Sequence, residues 1–230
     1  MKYLRLKKHR VRSNGVRSVL PVVIEKARKF GRVIHEQKIS VRRDVLLTGA
    51  HQAGKSRYLA RMHAQAAGIW RDRPALLIRC INPLAHWLEH GPAKEYAIER
   101  FGRPWARIRS WERVEALVDW VREHKPVLLI DDAHMLTGRK LDVALQLLNA
   151  APLVVVTASE EARLAVSFRM ALDRRKPQRI HLKSDAAYDI TPYVVWMIAL
   201  TALVAGSWEL GAAVAGLNLL GRGRRAAKQT

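Results

Sequence analysis

Residues 49–56 read Gly-Ala-His-Gln-Ala-Gly-Lys-Ser and fit the spacing G-x-x-x-x-G-K-[ST]. Two glycines at that distance let a loop curl so that backbone N–H groups point inward, the geometry that cradles phosphate oxygens. In such a loop Lys55 reaches the β- and γ-phosphates, and the Ser56 hydroxyl ligates Mg²⁺. A helix beginning there adds its positive dipole end. The expected nucleotide-binding set is therefore Gly49, Ala50, His51, Gln52, Ala53, Gly54, Lys55, Ser56 and Arg57.

A second group of residues suits the same chemistry. The apolar run Leu128, Leu129, Ile130 ends in Asp131 and Asp132. A carboxylate closing a strand holds Mg²⁺ through water, which assigns Asp131 to the metal with Ser56. Asp132 is placed to orient or deprotonate an attacking water. The same pair also suits capping of a helix that begins near Ala133. Another apolar run ends in Thr157, Ala158 and Ser159. Thr157 is the preferred γ-phosphate or water contact, and Ser159 reads equally as a cap for a helix opened by Glu160 and Glu161.

These groups need a scaffold that brings loop and strand ends together. Five short apolar runs, at 44–48, 75–79, 126–130, 152–156 and 179–183, alternate with helical patterns at 55–68, 141–148 and 160–172. Val114, Leu117, Val118 and Val121 add a further helical stripe. Unbroken apolar strands alternating with helices predict a parallel sheet covered on both faces, an α/β fold. Residues 1–20 look irregular, and Pro21 followed by mixed apolar and basic residues predicts a helix over 21–36.

The chain has 230 residues, with 41 Lys and Arg against 20 Asp and Glu, a net charge of +21. Residues 1–43 contain 14 of the bases and only Glu25 and Glu36 as acids, so this leader carries +12 of that excess. Such a block attracts polyanions, either nucleic acid or an acidic bilayer surface; a solvated basic tail is the plainer alternative. The single cysteine, Cys80, excludes an internal disulfide framework and reads as a small core residue. The apolar stretch 18–24 is short, broken by Pro21 and followed by Glu25, unlike a secretory signal. The histidines, His51 and His134 among them, show no metal-ligand spacing. Tryptophans 87, 105, 111 and 120 read as packing rather than as a stacking platform.

With the loop at 49–56, the strand 128–132 running on to His134 and the polar tip at Thr157, the sequence resembles compact AAA-type ATPases, including small ATPases of transposition and secretion systems and replication initiators. The resemblance covers about residues 40–184. It implies a P-loop NTPase three-layer sandwich with sheet order 5-1-4-3-2, bound ATP and Mg²⁺, hydrolysis, a homo-oligomeric ring and an arginine acting across subunits. Arg163, Arg169, Arg174 and Arg175 follow the fourth strand and are the arginines available for that role, against the reading of ordinary solvated charges. Two departures stand out. Many relatives have glutamate where this chain has Asp132, which shortens the reach to water. The helical lid that follows the fifth strand in such proteins is missing, because the sequence passes from Lys183 almost directly into an apolar segment.

That segment, residues 193–221, holds 29 residues and one charge, Glu209. A span needs about 20 apolar residues to cross a core of roughly 30 Å. One transmembrane helix over about 191–209 is expected, framed by Pro192 and Trp208 at the lipid boundary. Basic clusters on both sides also suit a re-entrant hairpin, and a buried C-terminal helix pair is the soluble alternative. The organisation expected is a basic leader with a helix at 1–40, an ATPase domain at 41–184, a membrane segment at 185–221 and a basic tail at 222–230. The function expected is a membrane-anchored ATPase, its nucleotide domain in the cytoplasm at the inner membrane, handling DNA or a macromolecular assembly. A nucleotide-gated scaffold with little hydrolysis is the alternative, and a small-molecule kinase a weaker third.

Overall fold

The computed structural model describes residues 2–11, 17–26, 32–50, 53–71, 73–89, 92–182, and Met197 and Thr201. The chain divides into two compact units, Met1–Ser184 and Asp185–Thr230. In the second, Thr201 and Met197 are helical, and the Thr201 hydroxyl donates to the Met197 carbonyl at 3.0 Å. The expected span at 191–209 otherwise lies outside the described residues. Among those residues no helix is long and apolar enough to cross a membrane.

The first unit opens with strands β1 (Lys2–Val11), β2 (Arg17–Lys26) and β3 (Val33–Lys38), paired antiparallel in the order β1-β2-β3. This corrects both the irregular stretch expected at 1–20 and the helix expected at 21–36. Val19, Val22, Val23 and Ile24 form a dense β-branched cluster, all buried, and such residues pack well on a pleated surface. Pro21 was read as a helix start, yet it sits opposite Leu6 inside β2 and its carbonyl accepts the Ile39 N–H at 2.9 Å. In β1, Leu4 and Leu6 alternate with polar residues and pack on the core below.

From here the chain follows the alternation of its apolar runs. It passes through β4 (Val45–Gly49), α1 (Lys55–Ala64), α2 (Ala66–Trp70), β5 (Ala75–Arg79), α3 (Leu84–Glu89), α4 (Pro92–Phe101), α5 (Ser110–His124), β6 (Val127–Asp131), α6 (Gly138–Ala150), β7 (Leu153–Ala158), α7 (Val166–Arg174) and β8 (Gln178–Leu182). All five strands pair in parallel, in the order β5-β6-β7-β4-β8. Renumbered from β4, that is the expected 5-1-4-3-2. The helix expected over 160–172 starts later, at Val166, after a 3-10 turn at Glu161–Arg163.

Successive sheet residues face opposite ways and build two cores. Leu46, Ile78, Leu128, Ile130, Val154 and Val156 pack with α3, α5, α6 and α7. Val45, Leu47, Val127, Leu129 and Val155 pack with α1 and α2. The second core continues into Val19, Val23 and Leu6 of the antiparallel sheet. Helices α1 and α2 are thus covered on both sides, and the unit has a fourth layer beyond the three expected.

Candidate nucleotide site

The loop after β4 and the ends of β6 and β7 meet at the carboxyl edge of the parallel sheet, where open α/β sheets bind ligands. β7 lies between β4 and β6, so its tip bridges the phosphate loop and the two aspartates.

Gly49 is constrained by its neighbour. A Cβ there would lie 2.6 Å from the Leu182 carbonyl oxygen, so only glycine lets β8 close against the loop. Gly54 adopts a left-handed conformation (φ 79°) as the residue before α1, and its carbonyl accepts the Tyr58 N–H at 2.9 Å. Ala53 N–H bonds the Ala50 carbonyl at 3.2 Å, closing the turn; His51 and Gln52 lie outside the described residues. Ser56 and Arg57 are exposed on the first turn of α1.

Lys55 is buried, and its ammonium donates to the carbonyls of Gly49 at 2.7 Å and Ala50 at 2.9 Å. An ammonium has three donors. Among the described residues the third has no partner. Burial pushes the Lys55 pKa below its ordinary value, against the opposing pull of Asp132 and Asp131.

Asp131 is buried at the end of β6. Thr157, itself fully buried, donates its hydroxyl to Asp131 Oδ1 at 2.7 Å and accepts the Asp132 N–H at 2.9 Å. The hydroxyl expected to touch phosphate is thus engaged within the protein, fixing the metal-assigned carboxylate. Asp132 itself stands in the left-handed region (φ 55°), just past the strand, and is half-buried. Asp tolerates that conformation better than most residues.

Ser159, two residues past Thr157, was read as a helix cap and does not act as one, because α7 begins seven residues later. Its carbonyl accepts the Gly49 N–H at 3.1 Å, and its N–H reaches His134 Nδ1 at 3.4 Å. Its hydroxyl is buried, with no partner among the described residues. A polar tip residue is visible in the sequence, but which of the two hydroxyls is spent on the scaffold depends on β6, some 25 residues away. Lys140 is a further residue at this edge that sequence spacing did not single out; its ammonium donates to the Cys80 carbonyl at 2.8 Å. Cys80 is a core residue as expected, and burial pushes its thiol pKa up.

Of the candidate arginines, Arg175 belongs elsewhere. It donates to both Asp44 carboxylate oxygens (2.7 and 3.2 Å) and to the Leu148 and Ala151 carbonyls, at the opposite, amino edge of the sheet. That removes it from the set available to act across subunits. Arg163 makes an exposed pair with Glu160 at 3.5 Å, Arg174 is exposed and Arg169 is half-buried.

Chemically, the donor set fits a Mg²⁺-nucleotide. A hydroxyl and a fixed carboxylate suit a hard cation. A buried ammonium with an unused donor and a buried unpaired hydroxyl suit phosphate oxygens. Fold and site together define an α/β protein with a parallel five-stranded sheet and a P-loop-type phosphate cradle.

Comparison with known proteins adds distant likenesses. No family model matches the sequence, and no curated relative does. Among solved structures, the chain is similar to Cdc6p from Pyrobaculum aerophilum (16% identity, TM-score 0.41, 60% of this chain and 38% of that one). It is also similar to PCH-2 of C. elegans (17%, 0.38, 72% and 41%). A third is Thermomonospora curvata EccC, ATPases 2 and 3 with a signal sequence peptide (14%, 0.41, 74% and 36%). The chain spans about two fifths of the length of these structures. The sheet order and loop geometry, and not these likenesses, define the site.

Proposed function

We propose that this protein is an ATP-binding, AAA-like ATPase that couples nucleotide binding and hydrolysis to handling of DNA or a macromolecular assembly. In this reading it is a homo-oligomer anchored at the inner membrane with its nucleotide domain in the cytoplasm. The observation that carries the nucleotide reading is the buried Lys55 ammonium. It is held by two carbonyls of its own loop, keeps one donor unused, and faces the field of Asp131 and Asp132. A phosphate anion supplies the countercharge that burial otherwise makes costly.

Each residue then has one task. Gly49 and Gly54 let the loop backbone approach the phosphates. Lys55 binds the terminal phosphates, and Ser56 with Asp131 holds the metal, whose chemistry is to neutralise charge that develops on the transferring group. Thr157 fixes Asp131. Asp132 orients or deprotonates the water, and Ser159 offers its free hydroxyl to the same region. Anchoring rests on residues 193–221, which carry one charge in 29 residues; the polyanion partner rests on the net charge of +21.

The alternative, a nucleotide-gated scaffold, is favoured by the short Asp132 side chain at the position that must reach water. Turnover of the detergent-solubilised full chain, with and without duplex DNA, separates the two. Lys55→Ala is expected to weaken nucleotide binding roughly ten- to a hundredfold, the worth of a charge-assisted hydrogen bond, and to abolish turnover. Unchanged nucleotide affinity in Lys55→Ala overturns the site. Tight binding with no turnover in the wild type leaves the scaffold.

A further inference from the structure

Helix α2, which follows directly on α1, ends at Trp70 beside a cavity of about 470 Å³, lined by Val41, Arg42, Ile69, Trp70, Arg71 and Arg73. That volume lies within the range of ligand pockets. Its lining divides sharply by chemistry. Ile69 and Trp70 are buried and Val41 half-buried, whereas Arg42, Arg71 and Arg73 are exposed. Among the described residues no carboxylate pairs with any of the three guanidinium groups, while arginines elsewhere in the unit, such as Arg100, Arg103, Arg175 and Arg179, have acidic partners. Asp72, between two of them in sequence, lies outside the described residues.

Trp70 forms part of the buried apolar wall, and its indole N–H, itself shut off from solvent, has no partner among the described residues. One backbone feature marks the cavity as more than a solvated basic corner. Arg71 is held at φ 60°, ψ −111°, a conformation natural to glycine and strained for a side chain this large. A fold that needed only a turn there would have glycine. Arginine in that place keeps a guanidinium at the rim against a backbone cost.

We infer that this cavity is a second anion site, which grips the phosphate backbone of a nucleic acid by the planar donor forks of Arg42, Arg71 and Arg73. Guanidinium groups bind phosphate by two parallel N–H bonds, and three of them with no acidic partner among the described residues are available to do so. A lipid surface is disfavoured by the lining, because a bilayer contact draws on exposed apolar or aromatic anchors and here every exposed residue is arginine. β2 of the basic antiparallel sheet packs against the same helix α2, so the cavity adjoins the layer that carries the leader's charge. The inference takes its choice of polyanion from the DNA-directed reading above; the site itself stands on the cavity, the three arginines that have no acidic partner among the described residues, and the strained backbone of Arg71.

The test is binding of a fluorescent duplex to the full chain, without nucleotide, across a salt series. The variants are Arg71→Gly with Arg73→Ala, and Arg73→Lys alone. Each phosphate contact contributes roughly 0.9 to the slope of log affinity against log salt. The double variant is expected to lower that slope by about one to two and weaken binding about tenfold or more, equally for all sequences. Its thermal midpoint should be unchanged or raised, since glycine relieves the strain at position 71. Arg73→Lys, which keeps the charge and loses the fork, should fall between. Wild-type affinity and slope in the double variant overturn the proposal, as does a wild type that binds no duplex. Loss of binding to anionic vesicles with duplex binding intact also overturns it, in favour of a membrane contact. Because nucleotide is absent, failure here leaves the Lys55 result unaffected, and the reverse holds.

Discussion

The two edges of the parallel sheet both hold a cation near an aspartate, and they treat it oppositely. At the amino edge, Arg175 spends its guanidinium on Asp44 and two carbonyls, and Asp44 also accepts the Val154 N–H at 2.7 Å. The polar groups there are closely matched, across 131 residues of sequence. At the carboxyl edge, among the described residues Lys55 bonds only its own loop and the Ser159 hydroxyl has no partner, and Asp132 stands in a left-handed conformation. A buried charge that is fully paired holds a fold together. One left partly unpaired by a chain able to pair it marks a place where something else is meant to bind.

The largest effect should come from breaking the matched edge. Arg175→Ala leaves Asp44 buried with no cation, and removal of one partner of a buried pair costs about 3–5 kcal/mol. Arg175 is about a fifth exposed, which places the expected loss at the lower end. Urea titration should show it, and nucleotide affinity of the remaining folded protein should be unchanged. Lys55→Ala is the counterpart at the other edge, with binding lost and stability unchanged or higher, because an ammonium whose pKa is pushed down by burial is a cost to the empty fold. Equal destabilisation by the two substitutions breaks the contrast.

Thr157→Val sharpens it. Valine keeps the shape and removes both the bond to Asp131 and the acceptor for Asp132 N–H. A buried carboxylate and a buried N–H left short of partners cost about 1–3 kcal/mol. Mg²⁺-dependent nucleotide affinity should fall with stability, since the same hydroxyl aims the metal-assigned carboxylate. A loss of stability with metal dependence intact makes Thr157 a packing residue only.

Which of these features the sequence revealed follows from how local each one is. The five parallel strands were readable because each is a run of Val, Leu and Ile bounded by polar residues, and the loop at 49–56 because its spacing is self-contained. The 5-1-4-3-2 order entered through the resemblance, not through any run of residues. The antiparallel sheet was hidden because Pro21 imitates a helix start, while its true environment, opposite Leu6 and bonded to the Ile39 N–H, is made by residues distant in sequence. The Asp44–Arg175 and Asp131–Thr157 pairs were hidden because their partners are 131 and 26 residues apart. Thr157 and Ser159 look equivalent at the tip of β7; only the position of β6 gives one hydroxyl to the scaffold and leaves the other free.

A smaller instance of the matched pattern lies at the start of α5. Glu112, three residues after Arg109, accepts the Arg109 backbone N–H at 2.7 Å and the Arg103 guanidinium at 2.7 Å. This is the returning half of a capping box, which satisfies a donor that the helix end leaves orphaned. The Arg109 N–H, then Arg103, hold the Glu112 carboxyl below its ordinary pKa of 4.5. A carboxyl depressed in the folded state contributes stability that is present above the ordinary value and is lost as pH falls through the depressed one. The thermal midpoint should therefore drop as pH is lowered from 5 toward 3, and Glu112→Gln should flatten part of that drop while lowering the midpoint slightly at pH 7. Lysine at position 103 should keep most of the effect, because the backbone N–H and not the guanidinium is the larger cause. A pH profile in Glu112→Gln identical to the wild type shows that the matched pattern does not extend to this cap and is confined to the sheet's amino edge.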